Sequence, residues 1–212
     1  MSANPILIFD FDGTIADTHH FAVAICNRLA EEFGYRKIQP DEVEPMKDWS
    51  IKEVISHLRI PWLKIPAIIA RAKAEFFQNI ENVSPVAGLQ ESLRAIHNTG
   101  CRLGILSSNG LDSIEHFLQQ HDFQIFDFVR STSKIWGKNI AVQQILRSEQ
   151  LDKKAVIYVG DEVRDIVAAQ KIGIKVAAVS WGYNSYKALA EHKPDFLIDS
   201  PDELVPLIPA AV

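Results

Sequence analysis

Hydrophobic positions along this chain fall into two recurring patterns. Short, largely unbroken apolar runs at Ile6 to Phe9, Arg102 to Leu106, Ala155 to Val159 and Ile174 to Val179 predict strands buried on both faces, as in a parallel sheet covered by helices. Phe126 to Arg130 is shorter and more polar and predicts an edge strand, and Phe196 to Ile198 predicts a short sixth one. Elsewhere the apolar residues recur three or four apart, which is helical spacing.

The helical pattern begins directly after the first strand. Phe21, Ile25, Leu29 and Phe33 form a stripe that Gly34 ends, so a helix is expected over Asp17 to Phe33. Tyr35 to Met46 is polar and broken by Pro40 and Pro45, which predicts a short helix or a turn. Ser50-Ile51-Lys52-Glu53 is a capping-box pattern, with Ile51, Val54, Ile55 and Leu58 following as a buried stripe. Pro61 and Pro66 interrupt, and Ala67 to Ile80 is expected to be helical throughout. Later helices are marked by Leu89, Leu93 and Ile96, by Ile114, Phe117 and Leu118, and by Ala141, Val142, Ile145 and Leu146, with a last helical turn at Leu204 to Ile208. The expected fold is therefore α/β, a doubly wound (Rossmann-like) parallel sheet core over 1–16 and 84–212, with a small α-helical domain inserted over 17–83.

With 212 residues, 47% of them hydrophobic, the chain can bury a full core. A formal charge of −5 and no long basic run argue against nucleic acid as a partner. Only Cys26 and Cys101 occur, without metal-ligand spacing, which fits buried thiols in a reduced compartment. No apolar run reaches membrane-spanning length, and the first residues lack the basic and apolar regions of a signal peptide. A cytoplasmic enzyme or binding protein, with no membrane partner, is the expectation.

The polar residues with chemical potential collect where strands end. Asp10 and Asp12 follow the first strand on one side of the extended backbone, with Phe9 and Phe11 on the other; Gly13 and Thr14 then turn the chain. Two carboxylates so close call for a hard metal ion or for a nucleophile with an acid/base partner, although Asp12-Gly13 is also ordinary turn chemistry. Ser107-Ser108-Asn109-Gly110 ends the second strand before a helix and suits an anion, or serves as a plain N-cap. Lys134 and Lys138 follow the third strand; at a helix's first turn Lys138 is unfavourably placed unless an anion is nearby, a solvated lysine being the competing reading. Asp161 follows the fourth strand as Asp10 follows the first, and Asp165 lies one helical turn on. Helix-dipole stabilisation accounts for one such acid, less readily for four at the strand ends of one sheet. His19 and His20 begin the first helix, either touching a substrate or facing solvent.

Taken in order, Asp10-Phe11-Asp12-Gly13-Thr14, Ser107, Lys138 and Gly160-Asp161 with Asp165 resemble the four motifs of the haloacid dehalogenase superfamily of phosphohydrolases, and within it the phosphoglycolate-phosphatase-like members with a helical cap after the first motif. The resemblance implies a Mg²⁺-dependent phosphatase acting on a small phosphorylated metabolite, as a monomer or homodimer. Asp10 would be the nucleophile forming an aspartyl-phosphate, Asp12 the acid and then the base, and Ser107 and Lys138, with Ser108 and Asn109, the phosphate-binding groups. Asp161 would bind Mg²⁺ with the Asp10 carboxylate and the Asp12 backbone carbonyl, while Asp165 would act through water or by orienting Lys138, and Thr14 would support the first motif. In the cap, Lys47, Asp48, Trp49 and Lys52 are the expected specificity residues, though Met46-Lys47-Asp48-Trp49 departs from the glycine-containing arginine loop of several relatives. A phosphotransferase or sugar-phosphate mutase on the same scaffold, or a non-enzymatic phosphoacceptor domain, are the alternatives.

Overall fold

The computed structural model describes residues 5–132 and 137–208; Lys134 lies outside them. Its elements are β1 (Ile6–Phe9), α1 (His19–Phe33), α2 (Val43–Met46), α3 (Ile51–His57), α4 (Ile65–Gln78), α5 (Leu89–His97), β2 (Arg102–Ser107), α6 (Leu111–Gln120), β3 (Phe128–Ser131), α7 (Lys138–Ser148), β4 (Val156–Gly160), α8 (Val163–Ile172), β5 (Lys175–Val179), α9 (Tyr186–Glu191) and β6 (Phe196–Ile198), followed by a 3₁₀ segment at Pro201–Leu207. The strands form one parallel sheet in the order β3-β2-β1-β4-β5-β6.

Alternation within β1 explains its unbroken apolar run. Leu7 and Phe9 join a core with Leu89 and Leu93 of α5 and Ile114 and Phe117 of α6. Ile6 and Ile8 face the opposite way, onto Val142 and Ile145 of α7 and Ile166 and Ala169 of α8. A strand with helices on both faces needs apolar side chains at every position. The chain steps outward from β1 to β2 and β3, then returns to lay β4 along the other side of β1, with Phe9 beside Val159. The crevice at such a reversal, outside the carboxyl ends of the strands, is where open α/β sheets bind ligands.

Between β1 and β2 the described elements are helices, α1 to α5 with short 3₁₀ turns. Ile25 and Leu29 of α1, Leu58 at the end of α3 and Phe76 of α4 share the core that holds Phe11 and Ile15, so the inserted helical domain is packed continuously with the sheet's first loop. The capping box forms as expected: Ser50 Oγ accepts the Glu53 amide, and the Glu53 carboxylate accepts the Ser50 amide at 2.7 Å. Arg36 donates to both Glu42 carboxylate oxygens, at 2.6 and 2.8 Å, and His57 reaches the same group at 2.9 Å, joining the approach to α2 with α3.

Apart from shifts of one to three residues at other element ends, three features differ from the sequence reading. Pro66 lies inside α4, in its first turn, where a missing amide hydrogen costs nothing. β3 opens at Phe128 because Phe126 is taken up by an edge-on contact with Phe9, and the Asp127 carboxylate accepts the Leu103 amide at 2.8 Å. α9 was not anticipated; Ser185 caps it by accepting the Ala188 amide at 3.1 Å, and its buried Leu189 joins the second core. No helix among the described residues is long and apolar enough to cross a membrane.

Two measurements check this packing. Phe117 is fully buried and stands edge-on to Phe11, the residue between the two first-loop acids, at 5.1 Å and 87°. Phe117→Ala is expected to cost about 3–5 kcal/mol and to lower the melting temperature by roughly 10 °C or more. The Arg36 guanidinium, followed by the Gln39 amide, holds the Glu42 carboxyl down to about 2 from its ordinary 4.5. A depressed carboxyl stabilises the fold above its unfolded value and loses that contribution as pH falls through the folded one. Glu42→Gln should therefore lower the melting temperature at pH 7, and thermal melts should show the gap to the parent protein closing between about pH 4.5 and pH 2.

Candidate active site

Asp10 is the first residue beyond β1, its amide bonded to the Val159 carbonyl at 2.8 Å, so it leaves the sheet beside the end of β4. Its carboxylate accepts the Phe11 amide at 2.8 Å and the Lys138 ammonium at 2.5 Å. Asp161 is the first residue beyond β4; it accepts the Thr14 hydroxyl and the Tyr183 amide, both at 2.7 Å. Asp165, in the first turn of α8, accepts the Glu162 amide at 3.2 Å and is also an acceptor for Lys138. One carboxylate oxygen from each of Asp10, Asp161 and Asp165 lies within 4.8 Å of the other two, and all three residues are buried. The distant acids singled out in the sequence thus meet in one place.

The charges do not balance. Beside three buried carboxylates stands one buried ammonium, that of Lys138, which is shared by Asp10 and Asp165 and sits 5.4 Å from the centre of the Tyr158 ring. Burial followed by repulsion from Glu162, Asp10 and Asp165 pushes the Asp161 carboxyl well above the usual range, and burial pushes Asp165 up to about 6 despite Lys138. Burial alone would lower the Lys138 ammonium; Asp10 and Asp165 overcome it and hold the group well above its ordinary value. Clustered oxygen donors with uncompensated negative charge suit a hard divalent cation such as Mg²⁺. Asp10, Asp161 and Asp165 are the side chains that could hold it.

Asp12 has its own partner outside this trio. Both of its carboxylate oxygens accept Asn109 Nδ2 at 2.9 Å, and burial, with the Asp10 charge behind it, raises its carboxyl to about 7. Ser107, the last residue of β2, is fully buried and its hydroxyl accepts the Asn109 amide at 3.0 Å. Asn109 is therefore engaged through both side chain and amide within the loop, while the Ser108 carbonyl accepts Lys73 Nζ from α4.

Residues 181–185, to which the sequence reading gave no role, grip this centre from the other side. Trp181 Nε1 donates to the Thr14 carbonyl at 3.1 Å, and Tyr183 Oη lies 3.1 Å from Thr18 Oγ1. Gly182 packs so closely that a Cβ there would overlap the Asp161 carboxylate, as would one on Gly13, whose φ is +72°. Asn184 accepts the Val163 amide at 2.9 Å and donates to the Lys47 carbonyl at 2.9 Å, while the Ser185 amide donates to the same carbonyl at 3.0 Å. One short stretch thus touches Asp161, the hinge between β1 and α1, and the cap loop.

A cavity of about 540 Å³ lies between the inserted helices and the core, with Lys138, Glu162 and Tyr183 at its core end. Of the four cap residues singled out in the sequence, Lys47, Trp49 and Lys52 line it. Asp48 does not; it accepts Ser185 Oγ and, at 3.4 Å, Lys187 Nζ, tying the cap loop to α9. His19 lines the cavity edge-on to Tyr183, whereas His20 is exposed. Tyr183 and Asn184 carried one legible sign, a glycine among large side chains just past a strand end.

Residues 7–179 match the haloacid dehalogenase-like hydrolase family. The chain is 33% identical over 201 residues to the phosphoglycolate phosphatase of Synechococcus elongatus, covering 94% of each protein. It is 26% identical over 213 residues to the pyrophosphatase PpaX of Bacillus cereus, covering 98% of this chain and 97% of that one. Among solved structures, a haloacid dehalogenase-like family hydrolase from Streptococcus pneumoniae superposes with a TM-score of 0.81 at 18% identity, over 98% of this chain and 99% of that chain. A match that spans the first strand, the helical insert and the strand ends bearing the acids leaves one assignment: the chain belongs to the haloacid dehalogenase-like hydrolase family.

Proposed function

We propose that the chain is a Mg²⁺-dependent phosphatase that cleaves a small phosphorylated metabolite in the cytoplasm through an aspartyl-phosphate on Asp10. The observation that carries this reading is the convergence of Asp10, Asp161 and Asp165 within 4.8 Å of one another, with the Lys138 ammonium bridging Asp10 and Asp165. The names of the curated relatives, a phosphoglycolate phosphatase and a pyrophosphatase, support phosphoryl chemistry without agreeing on a substrate.

The residues divide the work. An Asp10 carboxylate oxygen attacks phosphorus and the bond to the ester oxygen breaks. Asp12, its carboxyl near 7, carries a proton in a useful fraction of molecules at neutral pH and gives it to the departing oxygen. It then takes a proton from the water that attacks the phosphoryl group and frees Asp10. Ser107 and Lys138 hold the phosphoryl oxygens, and Asp165 aims the ammonium. Asn109 positions Asp12 by donating to its two oxygens. Bound at Asp10 and Asp161, with Asp165 beside them and the Asp12 backbone carbonyl as a further donor, Mg²⁺ would offset repulsion between carboxylate and phosphate.

Asp10→Asn should remove at least about a thousandfold of the turnover while circular dichroism shows the parental fold. Chelation of the parent protein should abolish hydrolysis and added Mg²⁺ restore it; turnover by Asp10→Asn, or activity indifferent to the chelator, would defeat the reading. Asn109→Ala should lower kcat by roughly 10- to 100-fold with KM little changed, because it loosens a proton donor without touching the phosphate.

A further inference from the structure

The cavity between cap and core is unlike a pocket shaped for a short, charged leaving group. Its volume of about 540 Å³ falls within the range of roughly 300–1,000 Å³ typical of sites that enclose drug-sized molecules. Its walls are apolar: Val23 and Cys26 from α1, Met46 and Val54 from the segments that follow, Val163 and Val167 from α8. Val167 and Ile51, both lining it, are 49% and 43% exposed, which leaves apolar surface open beside Lys138, the member of the acid–ammonium cluster that lines the cavity.

Each cation nearest the core end has an acidic partner, buried for Lys138 and exposed for Lys47. Lys138 is shared by Asp10 and Asp165, Arg164 donates from two nitrogens to Glu162, and Lys47 lies 3.2 Å from Glu44. Lys52 and Lys171 also line the cavity, but both residues are exposed. Nor does the volume come from a parted lid. The Lys47 carbonyl is held at 2.9 Å by Asn184 and at 3.0 Å by Ser185, and Lys73 reaches across to the Ser108 carbonyl.

Resting on the phosphatase reading, we infer that the leaving group cleaved here is an uncharged alcohol with a bulky apolar body, which fills the wall between α1 and α8, and not a short hydroxy acid. A two-carbon leaving group would leave most of this space to water against apolar side chains. A branched or cyclic alkyl group would displace that water.

The test uses the full chain with Mg²⁺ and four monoesters: 2-phosphoglycolate, ethyl phosphate, hexyl phosphate and cyclohexylmethyl phosphate. The three alkyl esters have leaving groups of similar basicity, so rate differences among them report binding in the cavity. We expect kcat/KM for the hexyl and cyclohexylmethyl esters to exceed that for the ethyl ester and for phosphoglycolate at least tenfold. A flat alkyl series, or a preference for phosphoglycolate, overturns the inference. Calorimetry with methylphosphonate and hexylphosphonate, neither of which can be hydrolysed as an ester, separates this inference from the reading beneath it. Hexylphosphonate binding at least tenfold tighter, with no ester cleaved, would keep the apolar pocket and remove the phosphatase; equal affinities would remove the pocket. Val23→Trp, which places an indole in the space, should shrink the hexyl-over-methyl preference in binding, and an undiminished preference would count against the assignment.

Discussion

The interaction on which this structure turns is the confinement of three carboxylates and one ammonium at the junction of β1 and β4. Water would screen such a group cheaply; buried, each unpaired charge is expensive. The surroundings answer that expense at each member. Phe11's amide and Lys138 serve Asp10, Thr14 and the Tyr183 amide serve Asp161, and the Glu162 amide and Lys138 serve Asp165. What stays unanswered is net negative charge, and that residue of imbalance is what a divalent cation and a phosphoryl group can exploit. Asp12, bonded to Asn109, shares the burial, which with the Asp10 charge keeps it protonatable near neutrality.

Coupling to the cap follows from the same geometry. Residues 181–185 bond to Asp161 on one side and to the Thr14 carbonyl, the Thr18 hydroxyl and the Lys47 carbonyl on the other. Any displacement of the cap loop therefore pulls on the backbone that positions an acid. The apolar wall above Lys138 is assembled from both sides of this connection, α1 and the cap loop from the insert and α8 from the core.

Much of this was legible in the sequence because its causes are local. Strands covered on both faces require continuous apolar runs, and the four main runs stand within two residues of where the strands lie. The strand-end acids were legible for a related reason: charge directly after a buried strand has few structural uses. Phe126 read as strand because its role is an aromatic contact with Phe9, which is remote in sequence. The bond from Asn109 to Asp12 was not legible because nothing nearby in the chain announces a partner 97 residues away. α9 escaped notice because six residues carry too little periodicity, and its cap, Ser185, is followed by Tyr and Lys before any apolar stripe. The role of residues 181–185 was missed because their partners Thr14, Thr18, Lys47 and Asp161 are remote in sequence.

The two glycines that enclose Asp161 restrict how this molecule could be adapted to new chemistry. Adding even one methyl group at Gly13 or Gly182 would displace an oxygen of the central cluster. Evolutionary tinkering at the centre is thus closed off sterically before any question of reactivity arises. The lining contributed by α1, the 38–54 segment and α8 carries no such restriction, so the same reaction can be readdressed to different molecules by repainting that wall while the machinery underneath is inherited intact.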